Sequence, residues 1–260
     1  MMNKPTVIIS GASRGLGLAA ARFAAADGAN VVLLSRSVER LAEAARLIEA
    51  EGGTAVPIPG DVTDAEDCAY VVAAALERYG RIDALINNAG TIEPIAPVAE
   101  ADVMAWQENW AVNLLGPLQL TQVALPHLRE RRGRVINVSS GAATYGLPGW
   151  GAYCAAKGAL NQLTRVLAVE EPLITAVAVR PGAVDTAMQQ VIREQGAAGM
   201  APDVYERFVR KYEDGQLLPP DKPGAALAAL ALYAPPEWSG EFVAWDEAQV
   251  QALLDTNIGS

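Results

Sequence analysis

Three side chains able to hold or move a proton fall in one short segment: the hydroxyl of Ser140, the phenol of Tyr153 and the ammonium of Lys157. Tyr153 and Lys157 are four positions apart, so on a helix they project from one face a turn apart. A helix is expected there, because Ala152, Ala155, Ala156, Ala159 and Leu160 are good helix formers and proline is absent from 149 to 171. A fixed ammonium beside a phenol favours the phenolate and lowers the phenol's pKa from its ordinary ~10 towards neutrality. Tyr153 is therefore a candidate general acid/base at ordinary pH. Ser140 follows an apolar run, Val135-Ile136-Asn137-Val138, that reads as a strand. From the strand's end its hydroxyl could hold a substrate oxygen against the phenol. A Tyr-x-x-x-Lys pair on its own is often met by chance, so the rest of the chain has to support it.

The supporting elements alternate. Thr6–Ser10 reads as a buried strand, and Gly11, Ser13, Arg14, Gly15, Leu16 and Gly17 belong to a glycine turn that opens an Ala-rich helix. A strand, a glycine turn and a helix amino terminus together form an anion site, where backbone N–H groups and the helix dipole approach a pyrophosphate. Asn30–Leu34 is the second strand. An acid at its end would select NAD by binding the ribose 2′-hydroxyl. This chain has Ser35 and Arg36 there, and Arg36 with Arg14 could flank a 2′-phosphate. Thr54–Ile58 is the third strand, closing on Asp61 and Val62, where the Asp61 carboxylate could accept from an adenine amino group. Ile82–Ile86 is the fourth, closing on Asn87, Asn88, Ala89 and Gly90, whose small residues permit close backbone approach to a ligand. A long helical region from 101 to 132 contains Asn113, a poor helix-interior residue unless its side chain has a task. After the Tyr153 helix come a strand over 173–179, the turn Arg180-Pro181-Gly182, a helical lid at about 187–218, a helix over 223–233 and a last strand over 241–245.

Composition narrows the function classes. The chain has 260 residues, 51% of them hydrophobic, and a net charge of −10 with a pI near 4.7. That acidic balance argues against nucleic acid and against an anionic membrane surface. The longest apolar run, 225–234, is too short to span a bilayer. Met1–Pro5 runs directly into a strand, which leaves no room for a signal peptide. Cys68 and Cys154 have no metal-ligand spacing and suit a reducing cytoplasm. With His127 as the sole histidine, no metal is expected. No internal repeat or linker marks a second domain, so residues 1–260 are expected to form one domain. The alternation implies an α/β, Rossmann-type doubly wound parallel sheet of about seven strands flanked by helices, with ligand at the strands' carboxyl ends.

Taken together, Gly11-x-x-x-Gly15-x-Gly17, Asn87-Asn88-Ala89-Gly90, Asn113, Ser140, Tyr153-x-x-x-Lys157, Pro181-Gly182 and Thr186 stand in an order and at spacings that resemble the short-chain dehydrogenase/reductase family over essentially the whole chain. Ser10 replaces the family's more usual threonine but keeps the hydroxyl. The resemblance implies a nicotinamide cofactor and hydride transfer to or from a carbonyl carbon. It makes Tyr153 the proton donor in reduction, and Ser140 the carbonyl anchor, with Ser139 as fallback. Lys157 would bind the nicotinamide ribose, Asn113 would hold the water of a proton relay, and Val184 and Thr186 would meet the carboxamide. Residues 179–218 and Leu217-Leu218-Pro219-Pro220 are similar to the sepiapterin reductase-like and benzil reductase-like branch. This implies NADP(H)-dependent reduction of ketones or dicarbonyls, with NAD(H) possible, and a homodimer or homotetramer.

The same site run in reverse would make an alcohol dehydrogenase, and loss of turnover would leave a cofactor-binding sensor. Retention of all four of Asn113, Ser140, Tyr153 and Lys157 argues against the sensor. The pocket is expected to be walled by Thr144, Tyr145, Leu147, Trp150, Met188 and the lid aromatics Tyr205, Phe208 and Tyr212. Such a lining predicts an apolar or aromatic carbonyl substrate, neither phosphorylated nor acidic.

Overall fold

Runs of buried apolar residues alternate with Ala-rich amphipathic segments, and each run becomes a strand packed on both faces. In a computed structural model, which describes residues 4–257, the elements are β1 (Thr6–Ser10), α1 (Gly15–Ala26), β2 (Asn30–Ser35), α2 (Val38–Ala50), β3 (Thr54–Pro59), α3 (Ala65–Tyr79) and β4 (Ala84–Asn87). They continue as α4 (Val103–Trp110), α5 (Gly116–Arg131), β5 (Arg134–Val138), α6 (Gly151–Glu170), β6 (Thr175–Arg180), α7 (Ala187–Gly199), α8 (Pro202–Glu213), α9 (Asp221–Tyr233), β7 (Phe242–Ala244) and α10 (Ala248–Asn257). Met1–Asn3, part of the amino end read from the sequence, lie outside the described residues.

All seven strands pair in parallel, in the order β3-β2-β1-β4-β5-β6-β7. Alternate side chains of one strand serve opposite faces. Val7 and Ile9 join the core formed with α1, α2, α9 and α10, whereas Ile8 joins the core formed with α3, α5 and α6. This is the expected α/β sandwich, and its strand order reverses between β1 and β4. A crevice opens at such a point, outside the strands' carboxyl ends.

The long helical region expected over 101–132 is interrupted. Residues Ala111–Leu115 form a π-helical turn between α4 and α5, with Asn113 at its centre. One extra residue in the turn rotates α5 relative to α4, and such turns gather at functional sites. The helical lid expected at about 187–218 is two well-formed helices, α7 and α8. The helix α10 was not expected. Among the described residues no helix is long and apolar enough to cross a membrane.

Candidate active site

A cleft of about 1460 Å³ runs along the carboxyl ends of the strands. At one end it is built from the turn after β1. Gly11 has φ +66°, a left-handed conformation that suits glycine, and a Cβ on Gly17 would stand 2.5 Å from both the Asn88 Nδ2 and the Gly11 carbonyl oxygen. The Asn88 carboxamide occupies that space, donating to the carbonyls of Ser10 (3.0 Å) and Gly11 (3.2 Å). The Ser10 hydroxyl accepts from the backbone N–H groups of Asn88 (3.0 Å) and Ala89 (3.1 Å). Serine in place of threonine therefore still ties β1 to β4. No side chain caps α1, whose first turn also carries no acid, so its leading N–H groups point to the cleft unclaimed by a side chain. Thr186 lies across from this turn, with its Cγ2 3.2 Å from where a Gly15 Cβ would be.

Gly11, Ser13, Arg14, Gly15, Leu16, Arg36, Asp61, Val62, Asn88, Ala89, Gly90, Ser140, Tyr153, Lys157, Pro181, Gly182, Val184 and Thr186 all line the cleft. Gly17 and Asn113 do not. Gly17 is packed behind the turn. Asn113 is fully buried, its Nδ2 donating to the Thr91 carbonyl (2.8 Å) and to Asn109 Oδ1 (3.0 Å), while its Oδ1 accepts from the Thr91 N–H (3.3 Å). With both amide protons engaged, its side chain anchors the loop after β4.

Near the end of β2, Ser35 donates to Ser13 (3.0 Å), and Arg36 stands 3.7 Å from Asp61. Asp61 Oδ1 accepts from the N–H and the hydroxyl of Thr63, both at 2.9 Å, so half of the carboxylate expected to meet an adenine is spent on its own turn. Arg40, one turn after Arg36, also lines the cleft and donates to Ser37 at 3.1 Å. Arg40 belongs to no motif, and only its i+4 spacing from Arg36 marks it in the sequence.

At the centre of the cleft, Tyr153 and Lys157 share one face of α6, as their spacing required. Lys157 Nζ donates to the Val138 carbonyl at the end of β5 (2.8 Å) and lies 5.7 Å from the Tyr153 ring centroid. Ser140 follows β5, and its Oγ accepts from the Ala142 N–H at 3.2 Å. The fallback Ser139 is buried and donates to Asn161 Oδ1 at 2.6 Å, which leaves Ser140 as the hydroxyl that meets Tyr153. One expectation is reversed. Burial pushes the Tyr153 phenol up to about 12, and the Ser140 hydrogen bond only partly opposes this. Burial likewise pushes the Lys157 ammonium down to about 8. Desolvation disfavours both charges.

The wall expected from aromatic residues lies elsewhere. Trp150, Leu147, Tyr205 and Phe208 pack with Tyr153 and Ile92 in an apolar cluster behind the phenol, Trp150 standing 4.9 Å from Phe208 between ring centroids. Met188 does line the cleft, but so do Gln189, Gln190 and Arg193 of α7 and Glu93. These polar residues were missed because α7 has no sequence signal beyond helical composition.

This geometry has known counterparts. The sequence profile of the short chain dehydrogenase family matches residues 5–197. The chain is 38% identical to an uncharacterized oxidoreductase of Schizosaccharomyces pombe over 92% of its own length and 95% of the relative's. It is 31% identical to a benzil reductase ((S)-benzoin forming) of Saccharomyces cerevisiae, over 94% of this chain and 97% of that one. Its fold superposes with TM-score 0.83 on a variant of actinorhodin polyketide ketoreductase with NADPH, at 26% identity, covering 93% of this chain and 95% of that one.

Proposed function

Because this chain belongs to the short-chain dehydrogenase family, we propose that it is an NADPH-dependent carbonyl reductase acting on a ketone or dicarbonyl through Ser140, Tyr153 and Lys157. The observation that carries the reading is the convergence of these three side chains and the uncapped amino end of α1 on one cleft. The cleft suits a dinucleotide. The first-turn N–H groups of α1 are oriented for a pyrophosphate, and the loop Asn88–Gly90 allows close backbone approach. Arg14, Arg36 and Arg40 supply three guanidinium groups where a 2′-phosphate would lie, and the hydroxyl of Ser35 offers no carboxylate to repel it. The benzil reductase relative and the NADPH of the ketoreductase neighbour agree with this choice of substrate class and cofactor.

When bound, the reduced nicotinamide supplies the hydride that a carbonyl carbon accepts. The residues of this chain do the rest. Ser140 donates a hydrogen bond to the carbonyl oxygen and holds it against Tyr153. The Tyr153 phenol then gives its proton to that oxygen, which becomes the alcohol. A phenol raised to about 12 stays protonated at neutral pH, so it holds the proton that reduction delivers. Lys157, still charged at pH 7, supports the negative charge that develops on the phenolic oxygen as the proton leaves. Asn113 serves as a positioning residue, fixing the Thr91 backbone beside Gly90.

A panel of benzil, aromatic ketones and polyols, followed through NADPH and NADH absorbance, tests the assignment. Reduction of diketones and ketones with NADPH is expected. Turnover confined to polyol oxidation would overturn it.

A further inference from the structure

The wall of the cleft beyond Tyr153 carries a charge that the aromatic-pocket expectation had excluded. Gln189 and Arg193 are four residues apart on α7, so they share a helix face, and both line the cleft. Gln189 is only 7% exposed, and its Oε1 has no hydrogen-bond partner among the described residues. The Nη1 of Arg193 is buried and equally unpartnered. The guanidinium carbon lies 3.7 Å from the Tyr212 ring centroid, and the backbone is tied separately, its Arg193 carbonyl accepting from the Tyr205 hydroxyl at 2.8 Å. Glu93 and Glu194 are each engaged with a glutamine. Glu93 accepts from Gln195 (2.9 Å) and Glu194 from Gln190 (2.7 Å), and no ion pair joins Arg193 to a carboxylate of the described residues. A buried donor left unsatisfied costs about 1–3 kcal/mol, and more when charged, so such a group calls for a use.

We propose that Gln189 and Arg193 form a subsite for a carboxylate on the substrate, and that the enzyme reduces oxo acids. The proposal rests on the carbonyl-reductase reading: the carbonyl reaches Ser140 and Tyr153 while the carboxylate is held at α7. A guanidinium's fork matches the planar carboxylate, and the Gln189 carboxamide, turned about its last bond, presents an N–H to the same group. Arg193 is the one cation α7 brings to the cleft, so a monoanion is matched, whereas a phosphate dianion would leave charge uncompensated. The hydride and proton steps are those of the ketone reaction, and the carboxylate stays unchanged.

The test compares benzoylformate with its methyl ester, which keeps the ketone but not the charge, in the wild type and in Arg193→Met. Loss of a charge-assisted hydrogen bond is expected to lower kcat/KM for benzoylformate by about 10–100-fold, mainly through KM, with a change of no more than about threefold on the ester. Arg193→Lys should recover part of the loss. Calorimetry with phenylacetate, which has a carboxylate but no reducible ketone, should show binding to the wild type that Arg193→Met abolishes. Equal losses on acid and ester, or phenylacetate binding indifferent to Arg193, would overturn the proposal. If the wild type reduced none of benzoylformate, its ester and benzil while binding phenylacetate through Arg193, the reductase reading would fall and the carboxylate subsite would stand.

Discussion

Tyr153 and Lys157 are displaced from their ordinary pKa values in opposite directions by one cause, the removal of each from water. The sign of the Lys157 shift sets its effect on stability. Its folded value, about 8, lies below the unfolded 10.5, so stability is fully present above 10.5 and is lost as pH falls through about 8. At pH 7 the buried ammonium costs on the order of 3 kcal/mol. Lys157→Met should therefore gain on the wild type as pH falls from 10.5 to 7, by a few kcal/mol, in urea unfolding at the two pH values. A constant difference would show that the ammonium is not desolvated. At the other end of the cleft, Ser35→Asp places a carboxylate beside Arg36 and among the cofactor-facing residues. It should shift the ratio of kcat/KM towards NADH, and a wild type already better with NADH would remove the role given to the arginines. The Ser140, Tyr153 and Lys157 set was legible because its spacing is local. Arg193 and Gln189 were not legible, because their significance depends on α8 folding back to place Tyr212 against the guanidinium.

The elements that hold these residues were legible to the extent that their period was clean. The strands β1, β2 and β3 begin where alternation and glycine turns placed them. β4 begins at Ala84, not at Ile82, because Asp83 turns its carboxylate to the Thr6 N–H at 2.8 Å and its own N–H to the Thr6 carbonyl before pairing of the ladder starts. The π-helical turn at Asn113 could not be read from the sequence, since a residue added to a helical turn leaves no mark on composition. Helix α7 is docked by close approach. A Cβ on Gly199, at its end, would overlap the Ile95 carbonyl oxygen, and one on Gly149 would overlap the Gly199 carbonyl oxygen. Gly199→Ala should thus displace α7, raising the substrate's KM by about tenfold for a loss of ~1.4 kcal/mol in binding. The Kd for NADPH, proposed to lie along the turn after β1, should change little. Steady-state kinetics with fluorescence titration separate the two, and an equal loss of both would mean that α7 does not act on substrate alone.

At the scale of the molecule, the parallel sheet with its reversal between β1 and β4 gathers loops distant in sequence at one crevice. That gathering was legible because each motif-bearing turn followed a strand, so the topology had only to align the strand ends. Assembly is an expectation from family resemblance. Val169 on α6 is 82% exposed, with Val166 and Leu173 nearby, beside a small cavity of about 150 Å³ between α5 and α6. Light scattering at micromolar concentration is expected to give a dimer or larger species, and a monomeric mass would remove the assembly.

The central claim is that the Tyr153 phenol delivers the proton to a substrate carbonyl. Its most direct test is NADPH oxidation with benzil by the wild type and by Tyr153→Phe, with NADPH affinity measured on the same samples. The ring is retained, so the packing against Trp150, 5.9 Å away between centroids, should persist and the Kd for NADPH should be unchanged. Turnover should fall by about 10²–10⁴-fold, the usual contribution of general acid catalysis. Full activity in Tyr153→Phe would contradict the account.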